Sequence, residues 1–213
     1  MLRIAIRMRP VYFILLSLSL FSCKKGELPN GEDNLFFAQF DKNEALIRFE
    51  DGVAGYGNGP GISTYEDSVG RLHSEFSLFI TNPLDSNYGL NTLKIQMVKF
   101  LADTLYPSYE VSLAMFNQGA YNYGLYTLDS TRGGIDGIII QYVDADSVLW
   151  TTDKRMGEQE SWANFEVSSN NPVEEDLFGA KTKGSFNCRV FDGESNYLDL
   201  TNGTFHARTV YLP

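Results

Sequence analysis

Two-residue alternation of apolar and polar positions runs through most of the chain after Leu35, interrupted at short intervals by Gly, Asn, Asp and Pro. A period of two puts successive side chains on opposite faces of a strand, whereas an amphipathic helix needs apolar positions three and four apart. The pattern predicts strands at 35–40, 44–50, 71–81, 92–101, 109–116, 121–127, 137–143, 148–152, 161–168, 183–191, 196–201 and 204–211, and no amphipathic helix. Many short strands with turn residues between them predict an all-β fold: an antiparallel β-sandwich, jelly-roll-like, with a β-barrel as the alternative. The Gly-rich run from Gly52 to Gly61 lacks the Gly-Lys-Ser/Thr of a phosphate loop and reads as a loop between strands.

Two hairpins can be registered from turn chemistry. Asn202-Gly203 carries a type I′ signal, which pairs Thr201 with Thr204, Leu200 with Phe205, Asp199 with His206 and Leu198 with Ala207. Leu198, Leu200, Phe205 and Ala207 then share one apolar face, and a one-residue slip would mix the faces. The second hairpin turns at Asp144-Ala145-Asp146-Ser147 and pairs Val143 with Val148, Gln141 with Trp150 and Ile139 with Thr152. Ile138, Ile140, Tyr142 and Leu149 fall on the core side, and Trp150 on the outer face.

The opening residues read as targeting rather than structure. Arg3, Arg7 and Arg9 precede a short apolar run from Val11 to Phe21, which ends in Leu20-Phe21-Ser22-Cys23. The run is too short to span a bilayer and has the form of a signal peptide over residues 1–22. Its end resembles a lipobox, so cleavage before Cys23 and acylation of that cysteine are expected. Several acyl chains, at about 0.8 kcal/mol per buried methylene, hold a protein stably to a membrane. Residues 23–34 form the lipidated cysteine and a polar tether of roughly 35 Å at full extension. Residues 35–213 form a single domain.

Charge and cysteine content narrow the function classes. Three of the 17 basic residues and none of the 27 acids lie in residues 1–22, so the net charge falls from −10 to −13 on cleavage. A nucleic-acid partner is not expected of so acidic a domain. With Cys23 acylated, Cys188 is the remaining cysteine and no intramolecular disulfide can form. Alternation sets Cys188 beside Phe186 and Val190, as a buried thiol rather than a nucleophile.

The candidate chemistry is aromatic. In Ser161-Trp162-Ala163-Asn164-Phe165-Glu166-Val167 the apolar face is Ala163, Phe165 and Val167, which leaves Trp162 outward beside Asn164 and Glu166. Trp150, with Gln141, and Trp162, with Asn164 and Glu166, form a candidate ligand-binding set. Indole faces stack on sugar C–H groups while amides and carboxylates bond hydroxyls. The structural alternative is cross-strand packing. Asp199 and His206 lack a nucleophile and read as a solvated pair; His206 and His73 could ligate a haem only if brought together, and no cofactor is expected. Carboxylate pairs at Asp144/Asp146, Glu158/Glu160 and Glu174/Glu175/Asp176 lie in loops or strand ends, and a glycan hydrolase would need two of them to converge. Asp144 and Asp146 form a weak calcium candidate, for which a structural turn is the simpler reading.

The segments Ile138-Ile139-Ile140-Gln141-Tyr142, Gly184-Ser185-Phe186 and Leu200-Thr201-Asn202-Gly203-Thr204-Phe205, with Trp150, resemble those of small β-rich lipoproteins of Bacteroidota cell envelopes. The resemblance spans about residues 110–211. It implies an envelope β-sandwich on the outer membrane and brings no catalytic residues. Together these features predict a membrane-anchored, non-catalytic ligand-binding module, with a neutral glycan as ligand. The alternatives are a structural or interaction subunit of an outer-membrane assembly and a carboxylate-dependent glycan hydrolase.

Overall fold

The computed structural model describes residues 36–53, 56–66, 72–81, 90–101, 114–124, 137–153, 155–173 and 176–210. The chain divides into two units, Met1–Asn34 and Leu35–Pro213, and every described residue lies in the second. The leader, Cys23 and the tether therefore fall outside the described residues, as do 109–113 and 125–127 of the predicted strands and the Glu174/Glu175 pair. No helix among the described residues is long and apolar enough to cross a membrane.

The described residues of the second unit form an all-β antiparallel fold of eleven strands: β1 (Phe37–Lys42), β2 (Ala45–Glu50), β3 (Gly57–Glu66), β4 (Leu72–Thr81), β5 (Thr92–Leu101), β6 (Gly119–Tyr121), β7 (Gly137–Val143), β8 (Leu149–Thr151), β9 (Asn164–Val173), β10 (Asp176–Phe191) and β11 (Tyr197–Val210). They form one large open sheet rather than two separate ones. Its main path runs β2-β1-β11-β10-β8-β7-β5-β4-β3, with β9 paired to β10 and β6 paired to β9.

The sheet has to curl. Nine strands at about 4.8 Å spacing would set the two ends of the path about 38 Å apart if flat. Yet the end strands β2 and β3 are consecutive in the chain, joined by residues 51–56, which reach at most about 25 Å. Curling brings β3 toward β11, where the Asn58 side-chain oxygen accepts from the Arg208 backbone N–H at 2.8 Å. Among the described residues no ladder joins β3 to β11, so the expected alternative of a closed barrel is corrected: the sheet stays open. Ala38, Phe40 and Phe49 from one end of the path, Leu93, Ile95 and Met97 from the other, and Phe165, Phe186, Cys188, Leu200 and Phe205 between them share one apolar core.

β3 occupies a run expected to be a loop. Pro60 has no N–H to give, which a strand tolerates at a sheet edge, and β3 is the last strand of the path. Its register with β4, Gly57 opposite Thr81 through Glu66 opposite Leu72, is unbroken.

Asn202-Gly203 does not turn the chain. Residues 197–210 form one strand, and the hairpin is made by Asp192–Asn196, where Asp192 Oδ1 accepts from the N–H groups of Glu194 (2.8 Å) and Asn196 (3.1 Å). At Asn202 the strand bulges, with φ at +52°, and the ladder to β10 slips between Phe186/Gly203 and Cys188/Leu200. Leu200 and Phe205 are five residues apart, an odd separation that cannot share a face of an unbroken strand. A hairpin or a bulge each supplies the missing phase step, so the apolar face was read correctly from the wrong device. Two reciprocal Gly–Phe pairs then lock β10 to β11. An added Cβ on Gly184 would come within 2.5 Å of the Phe205 ring, and one on Gly203 within 2.5 Å of the Phe186 ring.

The segment 119–124 straps two parts of the sheet together. β6 pairs with β9, and two residues past its end, Tyr123 bridges Ile138 of β7 in parallel. The buried Tyr123 hydroxyl lies 3.0 Å from the Asn164 carbonyl and 2.9 Å from the Asn187 carbonyl, so one donor is shared between β9 and β10 at the end of their ladder. Beyond that point β9 leaves β10. Gln159 takes the vacated edge, giving its side-chain N–H to the Arg189 carbonyl (2.7 Å) and accepting from the Arg189 N–H (3.0 Å).

Candidate functional site

The outer face of β9-β10-β11-β1 carries the residues that sequence alternation turned away from the core. Phe165 and Val167 are buried, so Asn164 and Glu166 project outward and are exposed. Opposite them lie Asn187 and Ser185 on β10; Ser185 faces Thr204 on β11, which faces Gln39 on β1, while at the bulge hydrogen bonds join Asn187 to Asn202 and Asn202 to Asp41, which sits opposite Thr201. Two polar rows thus cross four strands. In the first, Asn187 donates to Asn164 Oδ1 (2.8 Å), the Asn202 backbone N–H donates to Asn187 Oδ1 (2.8 Å), and the Asn202 amide donates to Asp41 Oδ2 (2.8 Å). Each amide retains hydrogen-bonding capacity toward solvent. The second row is Glu166, Ser185, Thr204 and Gln39. Trp162 stands in the turn leading into β9, 40% exposed.

Trp150 and Gln141 do not join this face. The ladder pairs Gln141 with Thr151, Tyr142 with Trp150 and Val143 with Leu149, one residue away from the expected register. Trp150 is therefore on the core side, half-buried against it, and Leu149 is exposed, the reverse of the expectation. The cause is a longer turn. Asp144 Oδ1 accepts from the N–H groups of Asp146 and Val148, both at 3.0 Å, and Ser147 adopts φ +67°, so the turn consumes Val148 before pairing starts. The indole N–H of Trp150 donates to Asp144 Oδ2 at 2.8 Å. Burial pushes the Asp144 carboxyl up, but the bonds from Trp150, Val148 and Asp146 and the charge of Lys42 outweigh it and hold the group below its ordinary value. Gln141 lies on the opposite face of β7, level with Lys94 of β5.

The remaining candidate groups have structural occupations. Asp199 does not meet His206, because both lie on one strand. Asp199 accepts from Arg189 Nε (2.7 Å) and Nη2 (2.9 Å), while the same guanidinium bonds Glu160 and lies 4.0 Å from the centre of the Tyr197 ring. His206 is buried rather than solvated, packed against Phe36 and Phe37 at 5.3 and 6.5 Å between ring centres. His73 is on β4, where side chains lie outside the described residues. Cys188 is buried, and burial, together with the negative charge of Asp199, pushes its thiol above the usual range against a bond to Tyr123. Asp144 has its oxygens engaged as above, and Asp146 is exposed in the turn. Among the described residues no three His, Cys, Asp or Glu stand close enough to share a metal ion.

Sequence alternation turned Asn164 and Glu166 outward but did not bring Asn187, Asn202 and Asp41 beside them. Alternation around Cys188 does turn Asn187 outward. Placing it beside Asn164 and Asn202, however, needs the register of strands far apart in the chain. Comparison with family models, with curated proteins and with solved structures returns no match to this chain.

Proposed function

We propose that this chain is a cell-envelope lipoprotein, anchored to the outer membrane through Cys23, whose β domain is a non-catalytic module that binds a neutral glycan along the outer face of β9-β10-β11-β1. The observation that carries the reading is the exposed Trp162 indole in the turn that leads directly into β9, the strand whose Asn164 and Glu166 begin two polar rows. A sheet face filled with core on one side and lined by amides, hydroxyls and the carboxylates of Asp41 and Glu166 on the other is a rigid surface on which a sugar chain can lie, with the indole stacking on one ring. The curl that wraps both ends of the sheet around one core supports a sandwich as the working architecture.

The test is a glycan array followed by titration of the best ligand. Trp162→Ala should weaken binding about tenfold, the equivalent of about 1.4 kcal/mol, with an unchanged melting temperature. No hits, or an unchanged affinity, would overturn the glycan reading. Membrane fractionation of Cys23→Ser checks the anchor: the variant should leave the membrane fraction.

A second reading, an interaction subunit of an outer-membrane assembly, is favoured by exposed apolar side chains at the β10–β11 turn. Tyr197 is 55% exposed and Met156 47% exposed, and an added Cβ on Gly193 of the turn would lie 3.3 Å from Met156 Sδ. A stoichiometric partner in detergent extracts that is lost on Tyr197→Ser would select this reading.

A further inference from the structure

The first polar row continues past Asp41. On β2 the residue opposite Asp41 is Leu46, which is 62% exposed, so five adjacent strands present Asn164, Asn187, Asn202, Asp41 and Leu46 on one outer face. At the β9 end, Trp162 precedes Asn164 by two residues, in the turn into the strand. A line of hydrogen-bonding groups therefore runs across the strands, with an exposed apolar side chain toward each end.

The sheet sets the spacing of this line. Neighbouring strands lie about 4.8 Å apart, so the row offers one side chain at each step of that length. A pyranose ring adds nearly the same length to an extended chain when both its glycosidic bonds are equatorial, as in a β-1,4 linkage. An α-1,4 linkage coils the chain, which falls out of step with the strands. The twist of the sheet, about 20–25° per strand, is small enough for rotation at each glycosidic bond to follow. The chemistry of the row fits such a chain as well. Successive rings of a β-1,4 chain face opposite ways and present different edges, and an amide, with two donors and an acceptor, serves either edge. Asp41 accepts the Asn202 amide on Oδ2, and its other oxygen can accept a sugar hydroxyl. Its carboxylate, on a chain of net charge −10, opposes an acidic sugar.

We propose, resting on the glycan reading above, that this row selects a linear, neutral, β-1,4-linked hexose chain laid across the strands, one ring to each strand from β9 to β2. Asp41 excludes acidic sugars by charge, and Leu46 covers the C–H face of the last ring.

The test uses the full chain extracted into lauryldimethylamine oxide, a detergent without a sugar headgroup, titrated by calorimetry with β-1,4-linked gluco- and manno-oligosaccharides of two to six rings. At least one series should bind, with affinity rising about tenfold or more from two rings to five and less than about twofold from five to six. Maltohexaose, the α-1,4 glucose hexamer, and the C6-oxidised form of the best hexamer should each bind about tenfold more weakly than that hexamer. Asp41→Asn should recover about fivefold for the oxidised hexamer and leave the neutral one within about threefold. Leu46→Ser, at an exposed position, should make five rings bind no tighter than four, with four-ring affinity and melting temperature unchanged, a pattern that loss of structure would not produce. The proposal is overturned if neither series binds, if affinity does not depend on length, if maltohexaose binds equally well, or if Asp41→Asn excludes the oxidised hexamer as strongly as wild type. Failure of both series with hits elsewhere on the glycan array overturns this inference alone, whereas an empty array overturns the glycan reading with it.

Discussion

Removing one oxygen from Tyr123 should weaken the junction where β9, β10 and the strap meet. Tyr123→Phe keeps the ring, which is 6% exposed and packed in the core, and deletes the hydroxyl that lies 3.0 and 2.9 Å from the carbonyls of Asn164 and Asn187. Both carbonyls sit at the end of a ladder, partly open to water, so the loss should fall in the range for a buried hydrogen bond, about 1–2 kcal/mol. In a domain of this size that corresponds to a fall of roughly 2–8 °C in melting temperature. Tyr121→Phe is the control: its hydroxyl also donates to a backbone carbonyl, at 2.6 Å, but at an exposed site, and it should change stability by less than about 0.5 kcal/mol.

Urea denaturation of wild type and both variants measures the differences. Burial, with the neighbouring Cys188, holds the Tyr123 phenol well above its ordinary value of 10.0. The wild-type advantage should therefore be constant below pH 10 and narrow above it, as the unfolded chain's tyrosine ionises first. Equal effects of Tyr123→Phe and Tyr121→Phe would refute the assignment of this hydroxyl as a tie between strands.

Two further outcomes follow from the geometry. Asp144→Asn should destabilise the domain at neutral pH. Because the folded carboxyl lies below its ordinary value of 3.8, the ionised group stabilises the fold above that pH and the contribution is lost as pH falls through the folded value, so wild type and variant should converge in acid denaturation curves below about pH 4. Gly184→Ala should cost more than about 2 kcal/mol in the same urea assay, since its Cβ would come within 2.3 Å of the Glu166 carbonyl oxygen as well as the Phe205 ring, and the backbone atom cannot step aside.

What the sequence made legible was local. Alternation placed Phe165, Val167, Phe186, Cys188, Leu200 and Phe205 inward and Asn164 and Glu166 outward, because a strand's period of two is fixed by the backbone whatever it pairs with. Pairing was a different matter. Asn202-Gly203 has the same positive-φ chemistry in a hairpin as in a bulge, and only the long β10 alongside decides that the chain runs straight on. At Asp144 the competing loop lengths differ by one residue, and that residue reverses Trp150 and Leu149. Gly57 to Gly61 carries almost no side-chain signal, so its strand is set by the edge of β4 that it covers.

The sequence by itself determined an all-β chain, the inward thiol of Cys188 and the outward Asn164 and Glu166, since each follows from the order of side chains along a few residues; Trp162 is exposed as well, but in a turn rather than on the strand that alternation predicted. Only the tertiary structure decided that the strands make one curled open sheet, that Trp150 turns to the core, and that Asn164, Asn187, Asn202 and Asp41 form one polar row. Face is written in local geometry. Neighbourhood is written in the register of strands as much as 161 residues apart, as for Asn202 and Asp41, and it is settled by the packing of the whole core.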